Sequence, residues 1–373
     1  MSVIVSGIGV ISALGGNAHA FGESMAQGIS GCALHNFTRL DGSVVSAPAY
    51  VAVNADPQGL IEPRKLRRMF RLARMAAVCA RQALQMAGRD PAAMDPARIG
   101  VVFGTSFGAL EITQKFIDSY IENGDGHASP LNFMNSVHGI LASQIAMDIQ
   151  ATGVNLTISQ RDISFEAALA QGMAALESGK VDLVLVGGAD EITPLMHEVC
   201  SHVLMVSLDP NDARGLDPAA SRSTLIPGDG AAVVVLERQG KALARLQGTG
   251  VGRHDGGGPD VALSLHGALG QPALDLVTNG RDGFVRSAAV YDQREYLWAA
   301  KGVNCVSHRG NFGTWATAGA MQFVANVLML ANRQYFAPLA AGQPAAVGKT
   351  PAVILHDAAS TSGVHAAYVL TAE

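Results

Sequence analysis

Residues 153–190 read GVNLTISQRDISFEAALAQGMAALESGKVDLVLVGGAD, and this stretch decides the fold. Asn155 to Ile158 is a short apolar run with β-branched residues, closed by the polar Ser159-Gln160-Arg161-Asp162, which predicts a strand running into a turn. Phe165, Leu169, Met173 and Leu176 then recur at helical spacing, with alanines at 167, 168, 170, 174 and 175 that let the helix lie close against a sheet. Gly179 ends that helix, and Val181 to Val186 is a nearly unbroken apolar strand of the kind covered on both faces. A strand-to-helix turn of this sort commonly presents a nucleophile at the helix N-terminus, where the dipole lowers a thiol pKa. Here the residue at the turn is Asp162, and a carboxylate there is expected to cap the helix, worth about 1 kcal/mol.

Outward from that stretch, apolar strands alternate with Ala- and Gly-rich helices, the pattern of α/β layers. Ser2–Ser12 predicts an opening strand, Ala18–Met25 a short helix, Ile99–Gly104 a buried strand and Val137–Ile149 a helix. Pro63–Met86 reads as one long helix whose first half carries Arg64, Lys65, Arg67, Arg68, Arg71 and Arg74. A solvated face is the simplest reading of such a run, and a dock for an acidic partner the functional one. The segment after Asp190 reads as irregular up to the strand Ala231–Glu237, and the Gly-rich tract 248–258 as a loop or domain divide. Further strands are expected at Ala273–Val277, Val303–Val306, Val353–His356 and Ala366–Leu370, with a long apolar helix at Ala316–Asn332. The alternation repeats on either side of residue 240, giving halves of 1–240 and 241–373.

Composition limits the function classes. Among 373 residues, 49% are hydrophobic and 15% charged, which suits a large buried core and a subunit interface. A net charge of −5 makes no case for nucleic acid. No apolar run is long enough to span a bilayer, and the chain enters a strand at once with no basic leader, so a cytoplasmic location is expected. Cys32, Cys79, Cys200 and Cys305 are widely spaced and form neither a metal nor a disulfide pattern.

Five segments, in order, resemble the β-ketoacyl synthase family of the thiolase superfamily: SGIGVISALG (6–15), FMNSVHGILASQIAMDIQATGVNLTIS (133–159), SGKVDLVLVGGADE (178–191), LIPGDGAAVVVLE (225–237) and GTWATAGAMQFVANVLML (313–330). The resemblance implies a thiolase-like α/β fold, with two similar halves, each with a five-stranded sheet, in a five-layered αβαβα arrangement, and a dimer formed through central strands. The family's chemistry uses one Cys and two His. Its nucleophile, three residues past Thr157-Ile158-Ser159, falls on Asp162; its first His falls on Gly280 in ALDLVTNGRDGF, and its second on Gly313. The Lys of the same motif falls on His308, and the C-terminal glycine gate near Ser360 to Gly363.

Claisen condensation on a thioester needs a thiolate to take up the acyl chain and donors to hold the developing oxyanion. A carboxylate is a poor acyl acceptor, and glycines have no side chain with which to donate; losing all three groups should leave no useful rate. Family members without this Cys resemble the chain length factors of type II polyketide synthesis, and loss of the whole set is more similar to the factors of aryl polyene pigment systems. That implies a non-catalytic subunit paired with an active ketosynthase, served by an acyl carrier protein whose phosphopantetheine arm reaches the partner, with no cofactor or metal of its own. Tunnel or interface candidates are Phe107, Leu131, Asn132, Phe133 and Met134; carrier-protein docking candidates are Arg64, Lys65, Arg67, Arg68 and Arg71. The alternative is a self-sufficient enzyme with an altered site, for which Cys305 and His308 would be the dyad; Cys305 in an apolar strand argues against it.

Overall fold

The computed structural model describes residues 3–54, 57, 59–214, 221–253, 260–314, 318–339 and 348–373. Among these residues the strands are β1 (Val3–Ile11), β2 (Ala33–Thr38), β3 (Val44–Ala49), β4 (Ile99–Gly104), β5 (Asn155–Ile158), β6 (Leu183–Asp190), β7 (Gly230–Glu237), β8 (Ala244–Arg253), β9 (Leu276–Asn279), β10 (Cys305–Val306), β11 (Val353–Ala359) and β12 (Val364–Thr371). The helices are α1 (Ala18–Ala26), α2 (Pro63–Leu66), α3 (Arg71–Met86), α4 (Leu110–Asn123), α5 (Pro130–Asn135), α6 (Ile140–Ile149), α7 (Ser164–Glu177), α8 (Pro194–His202), α9 (Val261–Ala268), α10 (Val285–Ala299), α11 (Arg309–Phe312) and α12 (Ala318–Ala331).

Ten of these strands run in the order β10-β9-β11-β12-β8-β1-β7-β6-β4-β5, and β2-β3 is a separate hairpin. The order is one five-strand pattern used twice. From β1 outward it runs β7, β6, β4, β5; from β8 outward, β12, β11, β9, β10. Strand senses match as well: β4 lies parallel to β5 and β6, as β9 does to β10 and β11, while β6–β7 and β11–β12 are antiparallel. The two sets meet where Val3–Val5 pairs with Ala244–Leu246.

Layering follows from which residues each strand turns to which side. On β7, Ala232, Val234 and Leu236 enter the central core with α7 and α12, while Ala231, Val233 and Val235 enter the outer core under α3 and α6. β6 divides the same way, Val184 and Val186 inward and Leu183 and Leu185 outward. A strand buried on both faces has no polar position to alternate with, hence its continuous apolar run. Helices α9 and α10 cover the outer face of the second set.

Three expectations from the sequence are corrected. First, the helix placed over 63–86 is broken. Residues Arg67 to Phe70 leave it, Phe70 is extended at ψ 167°, and Arg74 Nη2 donates to the Leu66 and Met69 carbonyls at 3.3 and 3.4 Å, satisfying acceptors that the break exposes. Second, the tract from 248 is β8 as far as Arg253, and 254–258 lie outside the described residues. Its glycines fall at every second position, facing α9: a Cβ at Gly248 would meet Leu265 at 3.1 Å, and one at Gly250 or Gly252 would meet Val261 at 3.2 Å. They are spacing residues in a strand, so the composition of a loop is misleading here. Third, the segment after Asp190 contains α8, started by Pro194 and capped by Thr193, whose Oγ1 accepts from Met196 N at 3.1 Å.

Candidate functional site

At the end of β5 the chain turns sharply. Arg161 takes φ +51°, a left-handed conformation unusual for a residue with a side chain, and Arg161–Ile163 forms one 3-10 turn before α7. Asp162 therefore stands at the head of α7, but it makes no bond to the helix, which corrects the capping expectation. Its Oδ2 instead accepts from Ser360 Oγ at 3.1 Å, in the turn between β11 and β12. The local bonds at the helix start come from Ser164, whose Oγ accepts from Gln160 N at 2.9 Å and donates to Arg161 O at 2.7 Å.

Asp162 shares a cavity of about 240 Å³ with Asp282 and Thr314, each within two residues of Gly280 or Gly313. The fold thus brings the three sequence-selected positions to one place. A side chain at either glycine would find its space taken. A Cβ at Gly280 would lie 2.6 Å from the Tyr291 hydroxyl, which donates to Ala359 O at 3.0 Å. A Cβ at Gly313, where φ is +87°, would lie 2.5 and 2.7 Å from the Tyr50 ring and 2.9 Å from its Cβ; the Tyr50 hydroxyl donates to Gly310 O at 2.7 Å. Both phenols are buried, which raises their pKa above the ordinary range.

His308 is not among the cavity residues. It is fully buried, with Nε2 2.9 Å from Phe336 O and Nδ1 2.9 Å from Gln322 Nε2. The carbonyl requires the proton on Nε2, so Nδ1 accepts from Gln322. Gln322 also donates to Asn326, and Asn326 to Thr278 and Tyr368. With both ring nitrogens engaged and burial lowering its pKa, His308 cannot serve as a base for Cys305. The Cys305 thiol is itself pushed well up, by burial and then by Glu295 and Asp357, away from thiolate character.

Apart from Ser106 and the exposed Arg161, the remaining cavity wall is apolar: Phe107, Met196, Val199, Cys200, Val203, Met205 and Leu225. Phe107 is placed by a residue that sequence reasoning passed over. Asp190, at the end of β6, accepts from Thr105 Oγ1 at 2.8 Å, Ser106 N at 3.0 Å and Phe107 N at 3.1 Å, which fixes the turn after β4. Burial raises the Asp190 carboxyl to about 7 and Asp282 to about 6; the charge of Asp162 adds to the latter. Asp282 lies two residues beyond Gly280 in the segment already singled out, whereas Tyr50 and Tyr291 carry no sequence motif of their own and only their positions in space connect them to the site.

The other candidates lie elsewhere. Leu131, Phe133 and Met134 on α5 are 64, 57 and 64% exposed, with Asn132 partly buried among them; Ile117, Tyr120 and Ile121 on α4 are exposed as well. Strand β5 is the end strand of its sheet, and its Leu156 is exposed. Of the basic residues, Arg64, Arg67 and Arg68 face solvent. Lys65 pairs with Asp148 at 3.0 Å, and Arg71 turns inward to Asp229 at 2.7 Å.

A family model described as β-ketoacyl synthase, N-terminal domain, matches residues 1–242. The chain belongs to the β-ketoacyl synthase family. Among curated relatives, the tetracenomycin polyketide synthase ketoacyl synthase alpha subunit of Streptomyces glaucescens is 27% identical over 257 residues, covering 65% of this chain and 59% of that protein. The chloroplastic 3-oxoacyl-[acyl-carrier-protein] synthase I of Arabidopsis thaliana is 25% identical over 297 residues, covering 77% of this chain and 60% of that one. This β-ketoacyl synthase family chain thus spans about three-fifths of the length of those relatives. Among solved structures, the ishigamide ketosynthase/chain length factor matches with a TM-score of 0.82 at 20% identity, over 100% of this chain and 99% of that one. A ketosynthase in complex with its chain length factor from Xenorhabdus doucetiae also matches at 0.82, with 17% identity over 100% of this chain and 98% of that one. The thiolase-like fold expected from the sequence is borne out. Among the described residues no helix is long and apolar enough to cross a membrane.

Proposed function

We propose that this chain is a non-catalytic chain length factor, the partner of an active ketosynthase in a type II polyketide assembly. The observation that carries the reading is the state of the site. Asp162 stands at the turn where the family places its thiol, and the space beside Gly280 and Gly313 is filled by buried tyrosines whose hydroxyls are bonded to backbone. Among the described residues no imidazole lines the cavity, and its one thiol, Cys200 on α8, is pushed up by burial away from thiolate character. The thiolate, and the carrier protein's phosphopantetheine arm, would then belong to the partner's site.

The exposed apolar side chains of α4 and α5 and the open edge of β5 supply the face that a partner would cover. Phe107 and Phe133 would shape the acyl tunnel, and Arg64, Arg67 and Arg68, exposed and without an ion pair among the described residues, are the docking residues for an acidic carrier protein. The finer assignment, to an aryl polyene type of system, rests on the joint replacement of the Cys and both His.

Co-purification with an intact ketosynthase, followed by labelling with a radioactive acyl-carrier-protein substrate, tests this. Label is expected on the ketosynthase alone, and Phe107→Ala or Phe133→Ala should shift the product lengths made by the pair. Acylation and chain elongation by this polypeptide on its own would refute the proposal.

A further inference from the structure

We propose that the cavity beside Asp162 binds a small apolar molecule whose end donates hydrogen bonds, a hydroxyl or a protonated amine, and that it rejects anionic ends. Two carboxylates on the cavity wall carry uncommitted oxygens. Asp162 accepts from Ser360 through Oδ2, and Asp282 accepts from Phe284 N at 2.9 Å and Ser287 Oγ at 2.7 Å through Oδ1. The second oxygen of each has no donor among the described residues, and neither is sealed from solvent. No Lys, Arg or His lies within ion-pairing distance of either carboxylate among the described residues. The buried Arg309 favours the charged form of Asp282 from further off, but by less than burial opposes it. Arg161 also lines the cavity, yet it is exposed and screened by solvent.

Both side chains line the cavity and lie close enough for their charges to interact, and Met196, Met205, Val199, Val203, Leu225 and Phe107 line it as well. Its volume of about 240 Å³ suits a ring with a short chain or a short alkyl chain. Methionines give an apolar wall that adapts to shape. A hydrogen bond to a charged group contributes about 1.5–3 kcal/mol, so a donor at the carboxylates should strengthen binding roughly tenfold or more over the same body without one. Two acidic groups repel a carboxylate, which also shuts a malonate-like end out of this cavity.

The inference concerns ligand binding by the single chain and does not need a ketosynthase, so it can fail while the subunit reading stands, and the reverse. The test is calorimetric titration of the purified full chain with four probes of similar body: 4-butylphenol, 4-phenylbutylamine, butylbenzene and 4-phenylbutyrate. The phenol and the amine are expected to bind at least tenfold more tightly than butylbenzene, with 4-phenylbutyrate weakest. In a variant carrying Asp162→Asn and Asp282→Asn the amine should lose its advantage and 4-phenylbutyrate should gain. Val203→Trp, at a largely exposed position on the cavity wall, should abolish binding of all four without disturbing the core. Equal affinity for the phenol, the amine and butylbenzene, binding of 4-phenylbutyrate as tight as that of the amine, or no effect of Val203→Trp would overturn the inference.

Discussion

Replacing Gly280 by Ala tests whether the Tyr291 hydroxyl fills the space beside this glycine, the position that the resemblance assigns to an imidazole. The added Cβ would lie 2.6 Å from Tyr291 Oη, but 3.6 Å from its Cζ and 3.7 Å from Ala358 Cβ, so the clash is with the hydroxyl oxygen alone. The ring is 2% exposed, and its hydroxyl both donates to Ala359 O at 3.0 Å and accepts from Ala359 N at 3.3 Å, so it has no free direction of retreat. Overpacking of this kind costs about 1–3 kcal/mol, and Gly280→Ala is expected to destabilise by about 2 kcal/mol. Tyr291→Phe leaves two backbone groups without their partner, also at about 2 kcal/mol. In the double variant the oxygen is gone and the remaining contacts are ordinary, so Gly280→Ala should cost next to nothing more. Gly280 lies outside the left-handed region, so the new residue even reduces the entropy of the unfolded chain. The total should be about 2 kcal/mol instead of about 4, a coupling of about 2. Denaturant unfolding of the four proteins, followed by circular dichroism, measures it. Additive losses, or a Gly280→Ala variant as stable as the parent, would show that the hydroxyl does not occupy that space.

Gly313→Ala should be worse and beyond rescue: it meets the Tyr50 ring and needs a backbone at φ +87°, ψ 178° that only glycine adopts easily, so a loss of about 3 kcal/mol or more should persist when Tyr50 is shortened to Ala. Asp162→Ala should cost about 1 kcal/mol or less and speed amide exchange in the Ser360–Gly363 turn, leaving the first turn of α7 unchanged; exchange confined to that turn of α7 would restore the capping role. A raised carboxyl means that the folded chain holds its proton more tightly than the unfolded one, so that stability is complete below the unfolded value near 3.8 and is lost as pH rises through about 7 for Asp190. Asp190→Asn removes this titration, so the parent should lose stability relative to the variant between about pH 4 and 7, by about 1.4 kcal/mol per unit at most. Thermal unfolding of both across that range reads the difference, free of the opposing contribution from the neutral, buried His308; a constant gap, or one of opposite sign, would contradict the burial argument.

How much was legible in the sequence depends on how far apart the interacting residues lie. The unit from Asn155 to Asp190 could be read because its strand, turn and helix are each fixed by local periodicity. Ile99–Gly104 and Asn155–Ile158 fall where the apolar runs placed them. The break at Arg67–Phe70 could not be read, because Arg-Arg-Met-Phe carries no helix breaker; Arg71 leaves the line of α2 toward Asp229, 158 residues away. β8 was obscured because its glycines answer to Val261 and Leu265 on a later helix. The same holds at the site. Position 162 was found by its place in a local motif, but its bond to Ser360 spans 198 residues, and the tyrosines at 50 and 291 reach the glycines at 313 and 280 only through the closed fold.

Those distant contacts bear on whether three reversions could recover a condensing enzyme. Asp162→Cys would place a thiol beside Asp282 and within the field of the buried groups around it. A neighbouring carboxylate disfavours a thiolate, which acts against the help from the dipole of α7. Gly280→His would have to displace the Tyr291 hydroxyl from its two backbone partners, and Gly313→His would need both a new backbone conformation and the Tyr50 ring removed. His308 offers no substitute, since releasing it breaks a chain of hydrogen bonds through Gln322 and Asn326 to Thr278. A triple reversion is therefore expected to stay inert and to fold less well than its parent, whereas a site that had lost only its three reactive side chains would regain acylation at the new thiol. Acyl transfer to the triple variant, measured beside the parent, distinguishes a repacked pocket from a merely disarmed one.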